Sequence, residues 1–118
     1  MVTICKSFHF DAAHRLDFLP PEHKCHRLHG HTYRVEVSLF GEVDEHGMLV
    51  DYAEIAAAWA PIDAALDHRY LNEIDGLANS TTEVLAEWIW DRLLPTFPSL
   101  LWTVRVHESS TTWAEVGR

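Results

Sequence analysis

Five of the nine histidines, His14, His23, His26, His29 and His31, fall within 18 residues of one another, with Cys25 among them. Histidine is the commonest zinc ligand and a frequent acid–base group, so this stretch is where chemistry is expected. His29 and His31 flank Gly30. In an extended strand such a pair projects from one face about 6–7 Å apart, so both imidazoles can turn onto a single ion. His14 ends an earlier strand-like segment, and antiparallel pairing across the intervening loop brings it alongside. Three neutral imidazoles leave a fourth tetrahedral position open, the layout of a catalytic zinc site, and favour zinc over the oxygen-seeking calcium and magnesium. The spacing also permits Cys25 to close the site as a fourth ligand, and for the residues taken alone both arrangements stand.

These side chains need elements to hold them. Residues 2–14 carry the β-branched and aromatic pattern of a strand, and residues 17–28, with Pro20-Pro21, read as a loop. Residues 31–42 alternate, with Tyr33, Val35, Val37 and Leu39 on one face and Arg34, Glu36 and Ser38 on the other. Past a turn at residues 44–47, Met48-Leu49-Val50 suggests a short return strand. Asp51 is placed to cap a helix reaching Leu66, with Ile55, Ala58, Trp59, Ile62 and Leu66 at helical spacing and Pro61 expected to kink or divide it. A second helix begins near Thr81 or Thr82 and turns Leu85, Trp88, Ile89 and Leu93 to the core. Alternation returns at residues 100–109, with Trp102, Val104 and Val106 inward, and TTWAEV supplies a last strand. Strands, two helices and strands again make an α+β domain over residues 1–118, its helices covering one sheet face.

Composition narrows the function. At 47% hydrophobic residues with five Trp, the chain should fold around a real core. A net charge of −9 argues against nucleic acid as a partner. No apolar run approaches the roughly 20 residues of a membrane span, and the N-terminus lacks a signal-peptide layout, so a soluble, cytoplasmic protein is expected. Cys5 and Cys25 are then two reduced thiols.

FDAAHRL at 10–16, HKCHRLHGHTYRV at 23–35, DHRYLNE at 67–73, NSTTEVLAEWIW at 79–90 and VHES at 106–109 together resemble the 6-pyruvoyltetrahydropterin synthase superfamily. The short gap from Cys25 to His29 is similar to its bacterial 6-carboxytetrahydropterin synthase branch, which serves queuosine and 7-deazapurine synthesis. The resemblance implies a T-fold, a four-stranded antiparallel sheet with two helices on one face, with sheets joined between subunits of a homo-oligomer into a barrel. It implies zinc on His14, His29 and His31, catalysis by Cys25 with Asp67 and His68, and a pterin ring anchored by Glu108 and lined by Thr81 and Thr82. The implied substrate is 7,8-dihydroneopterin triphosphate. Asp67 and His68 are adjacent, so a direct bond between them is not assumed. Ser80 stands where many relatives carry proline, a change expected to affect the turn more than the chemistry. Arg15, Lys24 and Arg27 are the cations available to offset the acidic charge near a triphosphate.

Overall fold

A computed structural model describes residues 1–118. Two long strands, β1 (Val2–His14) and β2 (His29–Gly41), form the antiparallel hairpin on which everything else is laid. α1 (Tyr52–Leu66), a two-residue strand β3 (Arg69–Tyr70) and α2 (Thr82–Leu93) follow, then β4 (Leu101–His107) and β5 (Trp113–Gly117). The sheet order is β3-β1-β2-β4-β5. The expected four-stranded antiparallel sheet is therefore present as β1, β2, β4 and β5. The fifth strand, β3, was not anticipated and pairs parallel to β1 at Ala12 and Ala13.

Alternation dictates which face is covered. Tyr33, Val35, Val37 and Leu39 are fully buried against Ile55, Ile62, Leu66, Leu85, Ile89 and Leu93 from the two helices. The opposite face is polar and carries Arg34, Glu36 and His107, where Glu36 Oε1 takes the His107 Nε2 side of the ring. Nearby, Arg105 pairs with Glu115 at 2.9 Å.

Two expectations need correction, and one of the two outcomes expected at Pro61 does not occur. Met48-Leu49-Val50 forms a bend after the turn at Glu45-His46, not a strand, and the Asp44 carboxylate accepts the N–H groups of His46 and Met48 at 2.8 and 3.0 Å. Its side chain thus supplies a local alternative to a ladder. Trp102 points outward against Phe40, ring centroids 4.7 Å apart, rather than inward. The register jumps from Ser38 opposite Thr103 to Leu39 opposite Leu101, and this bulge turns Leu101 into the core instead. Pro61 does not divide α1. Both Pro61 and Ala57, whose carbonyl loses its helical donor, are exposed, so water can satisfy that oxygen.

Helix α1 starts where the sequence requires. Asp51 Oδ1 accepts the Ala53 N–H at 2.9 Å and Glu54 Oε2 accepts the Asp51 N–H at 3.3 Å, a reciprocal cap. Asp51→Ala should cost about 1 kcal/mol of stability, measured by urea unfolding. Its distance from the histidines in the fold means metal affinity should be unchanged in the same variant.

Candidate metal centre and active site

The β1–β2 register sets His14 directly opposite His29, and His31 follows two residues on along the same face. All three continue the inward row of Phe10, Ala12, Tyr33 and Val35, at the end of the β1–β2 pairing. Their ring centroids stand 4.6, 5.2 and 4.9 Å apart, and their nearest ligand nitrogens gather within 4.8 Å. Tyr33 forms the floor, 5.4 Å from His31 and 6.1 Å from His14, and burial pushes its hydroxyl pKa upward.

Hydrogen bonds fix which nitrogens are free. His14 Nδ1 lies 2.8 Å from the Ser80 carbonyl, and His29 Nδ1 lies 2.7 Å from the Arg27 carbonyl. A carbonyl only accepts, so each Nδ1 carries the proton and each neutral ring presents a lone pair at Nε2. Those two Nε2 atoms face one another at 3.0 Å. A proton between them would require a cationic imidazolium. Burial opposes that most strongly at His14, lowering its pKa, with the His29 and His31 charges adding to the effect. His31 is lowered too, chiefly by burial, against an opposing pull from Glu108. Its Nε2 is buried without a hydrogen-bond partner, 3.9 Å from Glu108 Oε2. Two convergent lone pairs, with the unpartnered His31 Nε2 beside them, fit a cation: imidazole nitrogens on tetrahedral zinc at about 2.0–2.1 Å lie roughly 3.3 Å apart. Cys25 is not among the gathered ligand atoms.

Cys25 sits in a one-turn 3-10 helix, Lys24–His26. Its N–H donates to His23 Nδ1 at 3.0 Å and its carbonyl accepts the Leu16 N–H at 2.8 Å, so its backbone is held at both ends. It lines a cleft of about 450 Å³ together with Lys24, His29, His31, Glu108, Ser109 and Thr112. Glu108 follows β4, where its N–H donates to the Thr112 carbonyl at 3.3 Å and closes the β4–β5 connection. Of the three candidate cations, Lys24 lines this cleft. Arg15 is committed elsewhere, with Nη2 donating to His26 Nε2 at 3.0 Å, and Arg27 is exposed.

Asp67 and His68 lie on the other side of His31. Asp67 caps the end of α1, and its carboxylate accepts the Asp11 N–H at 3.0 Å and contacts His68 Nδ1 at 2.9 Å. The adjacent pair therefore does bond directly. His68 adopts φ 57°, the left-handed region, while its own N–H donates to the Asp11 carbonyl at 2.6 Å. That uncommon backbone bends the side chain back onto its neighbour's carboxylate. His68 and His31 line a second cleft, about 570 Å³, with Asp11, Thr32, Arg69 and Tyr70. Thr81 and Thr82 line neither cleft. Thr81 Oγ1 caps α2 by accepting the Val84 N–H at 3.2 Å, and Thr82 Oγ1 donates to Glu83 at 3.1 Å. The residue that sequence reasoning undervalued is Ser80, fully buried, whose carbonyl orients His14.

The Asp67–His68 bond has a pH signature. Asp67 is held below its usual 3.8, first by the Asp11 N–H and then by His68, and His68 is raised above 6.5 by Asp67. His68 stabilises the fold below its unfolded pKa and loses that contribution as pH rises through its raised folded pKa. Asp67 contributes above its unfolded pKa and loses that contribution as pH falls through its depressed one. The pair is therefore intact from mild acid up to the His68 midpoint. An NMR titration should place that midpoint above 6.5, and Asp67→Asn should bring it back down.

Comparison with known proteins agrees with this geometry. The family model for 6-pyruvoyl tetrahydropterin synthase matches residues 3–118. A 6-carboxy-5,6,7,8-tetrahydropterin synthase from Synechocystis sp. is 38% identical, over 97% of this chain and 92% of that protein. A 6-pyruvoyl tetrahydrobiopterin synthase from Drosophila melanogaster is also 38% identical, over 85% of this chain and 70% of its own length. The structure of Caenorhabditis elegans 6-pyruvoyl tetrahydropterin synthase superimposes with a TM-score of 0.91 at 29% identity, covering 99% of this chain and 95% of that one. A match over nearly the whole length, on a sheet that carries three histidines at one end, means that the chain belongs to the 6-pyruvoyl tetrahydropterin synthase family.

Proposed function

We propose that this protein is a zinc-dependent 6-carboxy-5,6,7,8-tetrahydropterin synthase of queuosine and 7-deazapurine biosynthesis. With the uptake of one water, it converts 7,8-dihydroneopterin triphosphate to 6-carboxytetrahydropterin, releasing acetaldehyde and triphosphate. The observation that carries the reading is the trio of histidine nitrogens, two with tautomers fixed for metal binding, of which His29 and His31 line a cleft shared with Cys25 and Glu108. The Synechocystis relative, similar over nearly all of both chains, supports the carboxy product.

His14, His29 and His31 hold the metal, and zinc bound there supplies Lewis-acid polarisation of the substrate's side-chain oxygens. The Glu108 carboxylate accepts paired N–H bonds from the pterin amino group and ring nitrogen, which orients the side chain toward the histidines. Cys25, fixed at both backbone groups, takes a proton from the side-chain carbon beside the hydroxyls. Lys24 places a positive charge in the same cleft for the triphosphate. His68, oriented by Asp67, moves protons in the complementary direction. Thr81 and Thr82 line neither cleft of their own chain, so their part in the pterin pocket is one played across a subunit boundary. Thr81 uses an oxygen lone pair on Val84 and keeps its hydroxyl proton to donate.

Cys25 and His68 line different clefts of one chain, on either side of His31. We place the working site between subunits, with Cys25 from one chain and His68 from its neighbour, and assign the protein to a homo-oligomer whose sheets join edge to edge into a barrel. Two unpaired edges support this reading. β3 covers β1 only at Ala12 and Ala13, and β5 ends the other side of the sheet.

Purified protein should contain one zinc per chain by elemental analysis, and His29→Ala should lose it. Cys25→Ala should keep zinc and fold while losing most turnover, and a parallel fall in zinc content would make Cys25 a ligand. Acetaldehyde should appear in step with triphosphate. Its absence, with a pyruvoyl product in its place, would favour the activity named for the Drosophila relative. Cys25→Ala and His68→Ala variants, each inactive, should recover activity when their subunits are mixed and exchanged. An active monomer by analytical ultracentrifugation would defeat the shared site.

A further inference from the structure

Asn72 lies in a one-turn 3-10 helix, Leu71–Glu73, anchored by the fully buried Leu71. Its amide is engaged on all sides. Oδ1 accepts the Arg15 N–H at 3.0 Å and the Ser80 hydroxyl at 3.4 Å. Nδ2 donates to the Arg15 carbonyl at 2.7 Å and to the Ala78 carbonyl at 3.1 Å. The orientation of the amide is fixed by chemistry, since the two carbonyls need donors and the Arg15 N–H needs an acceptor.

The partners are what matter. Arg15 is the residue directly after His14, and Asn72 binds both of its backbone groups, as a neighbouring strand would. Ala78 and Ser80 belong to the segment leading into α2, and the Ser80 carbonyl receives the His14 Nδ1–H at 2.8 Å. One side chain therefore joins the backbone that carries the buried histidine to the backbone that sets its tautomer. The Ser80 hydroxyl lies 3.3 Å from His14 Nδ1 and 3.4 Å from Asn72 Oδ1, within the same cluster.

We infer that Asn72 is the positioning residue of the metal centre: it holds the Ser80 carbonyl on His14, keeps the His14 lone pair at Nε2, and so sets metal affinity without touching the ion. The inference rests on the proposed three-histidine metal site. Outer partners that orient a ligating histidine typically govern affinity by 10–100-fold when removed.

The decisive substitution is Asn72→Asp, nearly identical in shape but lacking both N–H donors. It sets a carboxylate oxygen against the Arg15 and Ala78 carbonyls. Zinc affinity is measured by competition with a chelator, beside the thermal midpoint of the metal-free protein and the solvent exchange of the His14 Nδ1–H by NMR. Asn72→Asp should weaken zinc binding by about 10–100-fold and expose the His14 Nδ1–H to exchange. Ser80→Ala, which keeps the carbonyl, should weaken binding far less. Asp51→Ala lowers stability away from the site and should leave affinity unchanged. Should Asn72→Asp fail to fold, Asn72→Ala is read in the same way. Folded Asn72 variants that bind zinc as tightly as the unmodified chain overturn the inference. It also fails if Asp51→Ala weakens binding as much as they do. Failure of the unmodified chain to bind zinc is a separate result that overturns the metal site, and the inference with it.

Discussion

The pairing register of β1 with β2 is the constraint on which the rest depends. It runs without a slip from Val2 opposite Gly41 to His14 opposite His29. The side-chain period of a strand is two, so a shift by one residue would send a whole row of side chains to the opposite face. The row at stake is Phe10, Ala12 and His14 facing His29, His31, Tyr33, Val35, Val37 and Leu39. The hydrophobic members hold the register because exposing them would be costly, each large aliphatic side chain being worth about 1.5–3 kcal/mol when buried. The histidines are carried into place by a core that gains nothing from them directly.

Their location explains their protonation. At the end of the buried row, the rings of His14 and His31 are withdrawn enough from water to disfavour the charged form. Burial lowers His14 and His31, and two backbone carbonyls lock the protons of His14 and His29 on the far side of their rings. Two facing lone pairs at 3.0 Å are unfavourable by themselves, and the surrounding fold imposes that cost. A cation recovers it. Strain at His68 follows a similar logic on the other side of His31, where two hydrogen bonds to the Asp11 backbone and carboxylate pairing support a left-handed residue.

Periodicity made β1, β2 and both helices legible, since each is long and half-buried; the cap Asp51 could be read directly, and the start of α2 only as near Thr81 or Thr82. The three histidines were legible for the same reason: spacing of two in a strand and the end of the preceding strand are local facts. β3 was not, because two residues carry no period and their pairing with Ala12 and Ala13 depends on the path of the chain after α1. The bulge that turns Trp102 outward was hidden likewise, as nothing in LLWTVRV marks where alternation breaks. Ser80 was read only for its turn and Asn72 was missed, because their importance lies in which groups they meet, 66 and 57 residues away. No local pattern encodes such contacts.

The acidic charge of the chain resolves in the same spatial terms. A net −9 is a property of the whole surface, screened over about 8–10 Å at ordinary ionic strength. What an anionic substrate meets at close range is the local arrangement, and there the −9 total is a poor guide. Lys24 lines the Cys25 cleft, while Arg15 is drawn away by His26, which is itself oriented by the Leu19 carbonyl at 2.9 Å. The carboxylate that does enter the cleft, Glu108, is the group suited to a pterin's N–H edge. Lys24 and Glu108 thus bring opposite charges into one cleft, which Cys25, His29 and His31 also line.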